Sequence, residues 1–125
     1  MPRSDITGRA DVERLVEVFY ARVRPDPMLG HFFADIDWAH HIPRITAFWE
    51  MVLLGGGPYR GDPMTAHVHL HRRLPMSQAH FDRWLELFTG ALDELFAGPK
   101  AGEAKERARS IAAVMAHKVR TDPND

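Results

Sequence analysis

Apolar residues recur along this chain at spacings of three and four, and each run is stopped by proline or glycine. That rhythm gives every long segment one buried stripe, which is the signature of an amphipathic helix. Val12, Leu15, Val16, Phe19 and Val23 predict a first helix over about Gly8 to Arg24, with Thr7 as N-cap and Pro25 and Pro27 ending it. A short helical turn is expected from Met28 to Phe33. A second helix covers roughly His40 to Leu54, with His41, Ile45, Phe48, Trp49 and Val52 on one face, before Gly55-Gly56-Gly57-Pro58 breaks the chain. Pro63 opens a short helix from Met64 to about Arg72. Ser77 caps a long helix to about Phe96, striped by Phe81, Trp84, Leu85, Phe88, Leu92 and Leu95. Ala101 to Val119 make the last helix, expected to bury Ile111, Val114, Met115 and Val119. No segment alternates with period two, so the fold class is all-α.

Composition narrows the chemistry. The 125 residues suit one domain spanning 1–125, and the net charge of -1 gives no electrostatic reason for a nucleic-acid or membrane partner. No apolar run approaches the ~18 residues of a spanning helix. Met1 to Asp11 is polar and lacks a signal-peptide core, so a cytoplasmic protein is expected. The chain has no cysteine, which removes disulfides, thiolate nucleophiles, Cys-ligated clusters and thioether-linked haem. Metal chemistry must then rest on histidine, carboxylate or tyrosine. P-loop, dinucleotide, zinc-protease and nucleophile-elbow motifs are absent from the sequence.

Of the eight histidines, three form His67-x-His69-x-His71. On a helix, His67 and His71 share a face and His69 points away. The pattern fits an axial ligand on iron, a Zn-type pair, or three solvated histidines. His41 is in step with Ile45, Phe48 and Trp49 and therefore faces inward, whereas His40 does not. Tyr20 sits at the edge of the first stripe and Trp84 in the middle of the long helix's stripe. Rings at such positions ordinarily pack the core, but each also carries a donor that needs a partner when buried. Glu103, Lys105, Glu106, Arg107 and Arg109 read as a solvated face.

Four motifs, in order over about Asp11 to Val119, resemble the group III truncated haemoglobins. They are Phe19-Tyr20 with Val23-Arg24, Trp38-Ala39-His40-His41 with Phe48-Trp49, His67-Val68-His69-Leu70 after Pro63, and Phe81-Asp82-Arg83-Trp84-Leu85-Glu86-Leu87-Phe88. The resemblance implies a shortened globin fold in which two helix pairs sandwich a non-covalent haem b. It implies His67 as the iron ligand, with His41, Tyr20 and Trp84 lining the opposite side and Phe33, Ile45 and Phe48 as apolar walls. Arg72 or Arg73 is positioned to pair with a haem propionate. One departure from the pattern is Pro43: proline belongs in a helix's first turn, so His41 is expected at a bent or frayed entry.

A five-coordinate iron in such a pocket binds O2, CO or NO. A hydrogen bond to a charged acceptor contributes roughly 1.5–3 kcal/mol, so two donors slow O2 release about a hundredfold or more. Slow release suits O2, NO or peroxide chemistry with a separate reductant, as in a dioxygenase or peroxidase-like protein, or ligand sensing, better than bulk transport. The alternative of a different class is a helical Zn or non-haem metal-binding module or hydrolase, using His67 and His71 with Asp62 or His41.

Overall fold

A computed structural model describes residues 3–55 and 76–120, with side chains to His117. Within them lie four helices, α1 (Arg9–Val23), α2 (Trp38–Leu54), α3 (Gln78–Leu95) and α4 (Pro99–Arg120), and a 3-10 turn at Gly30–Phe33. The helix expected from Met64 to Arg72 lies outside the described residues. No strand occurs among the described residues. α1 packs on α2 and α3, and α3 pairs with α4.

The apolar stripe of α1 is buried as its spacing requires, and Tyr20 is buried with it. The N-cap is Gly8, not Thr7. Thr7 instead donates its N–H and hydroxyl to the Asp11 carboxylate, at 2.9 and 3.1 Å. A carboxylate in the first turn suits the positive end of a helix, and Asp11 also ties back the residue that precedes the cap.

Asp26, between the two prolines that end α1, is buried. It accepts the N–H groups of Met28 and Leu29 at 3.0 Å and the Arg83 guanidinium of α3 at 2.9 and 2.8 Å. Burial works to raise its pKa, but the Arg83 hydrogen bond and the two N–H donors outweigh it and hold the carboxyl below the usual range. Its contribution is therefore complete above the ordinary carboxylate pKa of about 4 and is lost as pH falls through the lower folded value. This one side chain fixes the turn that carries Phe32, whose ring meets His80 of α3 at 5.0 Å.

α2 starts at Trp38, two residues earlier than its periodicity suggests. Asp37 caps it, accepting the Ala39 N–H at 3.1 Å, and the His41 N–H pairs with the Asp37 carbonyl at 2.9 Å. His41 is thus inside the helix, and Pro43 is accommodated within it. Proline withholds an N–H from the Ala39 carbonyl. Ala39 and Pro43 are both exposed, so water can serve that carbonyl. At the other end Gly55 adopts a left-handed φ of 74°, and Lys100 of α4 donates to the Leu53 carbonyl at 2.6 Å.

Ser77 caps α3 as expected. Its partner at the third helical position is His80, whose Nδ1 accepts the Ser77 N–H at 2.8 Å. α4 opens on Pro99, a first-turn position that needs no N–H. Its next two N–H groups are satisfied by Asp5, at 2.9 Å each to Lys100 and Ala101. Gly98 has φ of 142°, and a Cβ there would lie 2.6 Å from the Asp5 side chain. Only glycine allows the N-terminal segment to cap α4 from that distance.

The inner face of α4 departs from expectation. Val114 is 45% exposed, while Ala101, Ala104, Ala108, Ala112, Met115 and Ala116 are buried. Val114 lies about 100° round the helix from Met115, off the contact line. The Val119 side chain lies outside the described residues. Alanines rather than bulky side chains make this seam because small residues allow a closely approaching partner helix.

Candidate functional site

A narrow cleft of about 40 Å³ opens between α1, α2, α3 and α4. Its walls include Tyr20, Ile45, Phe48 and Trp84, together with Ile111 and Met115. A neighbouring cavity of about 20 Å³, lined by Phe33, His80 and Phe81 among others, shares Trp84 and Met115 with it. The helices thus bring sequence-derived site residues around two adjoining apolar spaces: Tyr20, Ile45, Phe48 and Trp84 in one, Phe33 and Trp84 in the other.

His41 lies beside the cleft within a group of rings. Its centroid is 5.0 Å from Tyr20, 5.5 Å from Trp38 and 6.0 Å from Phe33. The helical start at Trp38 turns the imidazole inward, where a frayed entry would have let it swing out. His67 and Arg72, and with them His69, His71, Asp62 and Arg73, lie outside the described residues.

Two polar groups distinguish this cleft from an ordinary core. Tyr20 is only 6% exposed, and Trp84 is half-buried and stacked on Phe88 at 5.5 Å. No hydrogen bond between described residues involves the Tyr20 hydroxyl or the Trp84 indole N–H. Burial pushes the Tyr20 phenol pKa up, so it stays protonated and remains a donor. Donors left facing an apolar space cost free energy unless a polar ligand or water meets them. An apolar group carrying a polar acceptor matches the chemistry of these walls and these donors.

Residues 4–121 match the bacterial-like globin family. The chain belongs to the bacterial-like globins. It is 34% identical over 112 residues to a group 3 truncated haemoglobin of Campylobacter jejuni, covering 85% of this chain and 86% of that protein. It is 32% identical over 115 residues to a group 1 truncated haemoglobin of Synechocystis, covering 89% and 88%. The crystal structure of the group III truncated haemoglobin from Campylobacter jejuni superposes with a TM-score of 0.84 at 30% identity, covering 94% of each chain. The haemoglobin of Chloroflexus aurantiacus gives 0.72 at 30% identity, covering 88% of this chain and 92% of that one.

The globin is therefore a haem-binding, ligand-binding protein of the truncated fold, and the group III resemblance drawn from its motifs holds. Without cysteine, it has no residue to form a thioether link. Family membership favours haem over the Zn or non-haem reading. No helix of the described residues is long and apolar enough to cross a membrane.

Trp38 belongs to one of the four motifs, yet the sequence pattern assigned it no role. The available signal was its position three residues before His41, which puts both on one helical face. The pairing of Asp26 with Arg83 was also missed, because it spans 57 residues and leaves no local pattern.

Proposed function

We propose that this globin holds haem b non-covalently through His67 and presents Tyr20, Trp84 and His41 to a small ligand on the opposite face. Phe33, Ile45 and Phe48 wall the porphyrin, and Arg72 pairs with a propionate. The haem supplies iron with an open position for O2, NO, CO or peroxide. The chain's own residues shape what happens there. Tyr20 donates from a hydroxyl that burial keeps protonated. Trp84 donates from an indole that cannot accept in return. The apolar walls exclude water and so strengthen both hydrogen bonds.

What carries the reading is a pair of donors on the wall of an apolar cleft, neither of them bonded to another described residue. Each is worth roughly 1.5–3 kcal/mol to a charged acceptor, and about 1.4 kcal/mol is a factor of ten. A pocket that holds its ligand this firmly serves redox chemistry on O2, NO or peroxide, fed by a reductant, or ligand sensing. Bulk O2 transport fits it poorly.

Stopped-flow O2 dissociation tests this directly. Release should be slow in the parent and at least about tenfold faster in Tyr20→Phe or Trp84→Phe. Parent-like rates in both variants would remove the donors from the proposal. The spectrum of the reduced protein under CO should show the intense violet band of haem, and His67→Gly should lose or displace it. An unchanged spectrum in that variant would assign the iron another ligand.

A further inference from the structure

We propose that Trp38, braced from outside by Arg24, is a positioning residue that holds the His41 imidazole against the Tyr20 ring at the edge of the cleft. This rests on the reading of Tyr20 and His41 as its polar wall. Trp38 touches every other member of the ring group. It lies 5.3 Å from Tyr20, 5.5 Å from His41 and 5.9 Å from Phe33. The contacts to Tyr20 and His41 are edge-on at 61° and 85°, while Phe33 stacks at 26°. Edge-on contacts hold a ring at a set angle, because the positive edge of one ring meets the negative face of the other.

Trp38 is the first residue of α2, and Pro43 leaves the Ala39 carbonyl without its helical donor. The capped helix turns the imidazole inward, and the angle of its ring is left to its neighbours. Trp38 itself is half-buried and needs its own support. The Arg24 guanidinium supplies it, 4.8 Å from the centroid of the indole, within cation–π range. Arg24 caps the end of α1. The pair thus couples the end of the helix that carries Tyr20 to the start of the helix that carries His41.

The C–O stretch of the reduced CO complex reads the polarity around a ligand and tests the clamp apart from any reaction. Tyr20→Phe and His41→Leu should shift the band. Trp38→Ala should shift it in the same sense or split it, and Trp38→Phe should keep it close to the parent. Arg24 is exposed, so Arg24→Gln should fold normally. It should split the band and speed O2 release about threefold, the worth of an exposed cation–π contact. Arg24→Lys should preserve the parent behaviour.

If Tyr20→Phe and His41→Leu move the band but Trp38→Ala and Arg24→Gln do not, the clamp is wrong and the polar wall stands. A melting temperature lowered in Trp38→Ala with the band unmoved also overturns the clamp, because the residue would then be packing alone. If neither Tyr20→Phe nor His41→Leu moves the band, the polar wall fails and the clamp fails with it.

Discussion

Where α4 meets α3, the globin sets a stripe of alanines against its neighbour; where α1 meets α2, it crowds rings together. At the first seam Ala91, Ala101, Ala104 and Ala108 are fully or almost fully buried. The polar groups around it are matched by protein partners. Asp5 serves Lys100 and Ala101, the Arg3 guanidinium reaches the Asp93 carbonyl, and the Ala97 N–H reaches the Ser4 carbonyl at 3.1 Å. An ion pair from Lys105 to Asp93 braces the outside. At the second seam Tyr20, Phe33, Trp38 and His41 pack against one another. The donors of Tyr20 and Trp84 beside them meet no acceptor among the described residues. One seam uses its polar groups on itself; in the function proposed above, the other keeps them for a ligand.

Gly98→Ala puts the greatest strain on that separation. A Cβ would collide with Asp5, and φ of 142° strains any L side chain. We expect about 3 kcal/mol of lost stability from strain and a lost cap together, a fall in Tm of roughly 10 °C, with O2 release unchanged. Equal damage to ligand kinetics would show that the two seams are not separate.

Tyr20→Phe should do the reverse. Its effect on O2 release, at least about tenfold, is worth about 1.4 kcal/mol or more in the ligand complex. Its Tm without ligand should hold or rise, since a buried donor facing an apolar space is removed. A marked fall in Tm would mean that the hydroxyl is structural.

A smaller effect comes from His80, which belongs to both regions, capping α3 while lining the cavity beside Trp84. Burial lowers its pKa, and His31, 6.1 Å away on the 3-10 turn, lowers it further. To accept the Ser77 N–H, Nδ1 must be unprotonated. Since the folded pKa is below the unfolded one, the unfolded chain binds more protons here. The cap is complete above the ordinary histidine value of about 6.5 and is lost as pH falls through the folded value. Stability should therefore drop on acidification, read as a fall in Tm, and His80→Gln should flatten that part of the profile. An unaltered profile in the variant would assign the pH dependence elsewhere.

Least of all should Val114→Ser matter, at under about 0.5 kcal/mol by denaturant melts, because the side chain is exposed. Ala108→Val, on the buried line of the same helix, should cost about 1–3 kcal/mol by overpacking. A costly Val114→Ser would mean that a partner surface covers that face.

The stripes of α1 and α3 were legible because local periodicity alone decides which side of a helix is apolar. Ser77 was readable as a cap for the same reason. Val114 was misjudged because apolar character does not say which side a partner helix will approach, and alanine, buried at the seam, carries little hydrophobic signal. The start of α2 was placed late because Trp38 and Ala39 precede the regular stripe and the capping role of Asp37 went unused. Of the site, Tyr20, Ile45, Phe48 and Trp84 could be named from motifs, whereas Trp38 became visible only when its neighbours were in place.

Residue order was enough to establish that this chain is helical and where most of its described helices run. Periodicity and short motifs are properties of neighbours along the chain. The cap that Asp5 gives α4, the Asp26–Arg83 pair and the ring group around His41 came only with packing. Each joins residues whose proximity depends on how the helices meet, and no local pattern encodes that.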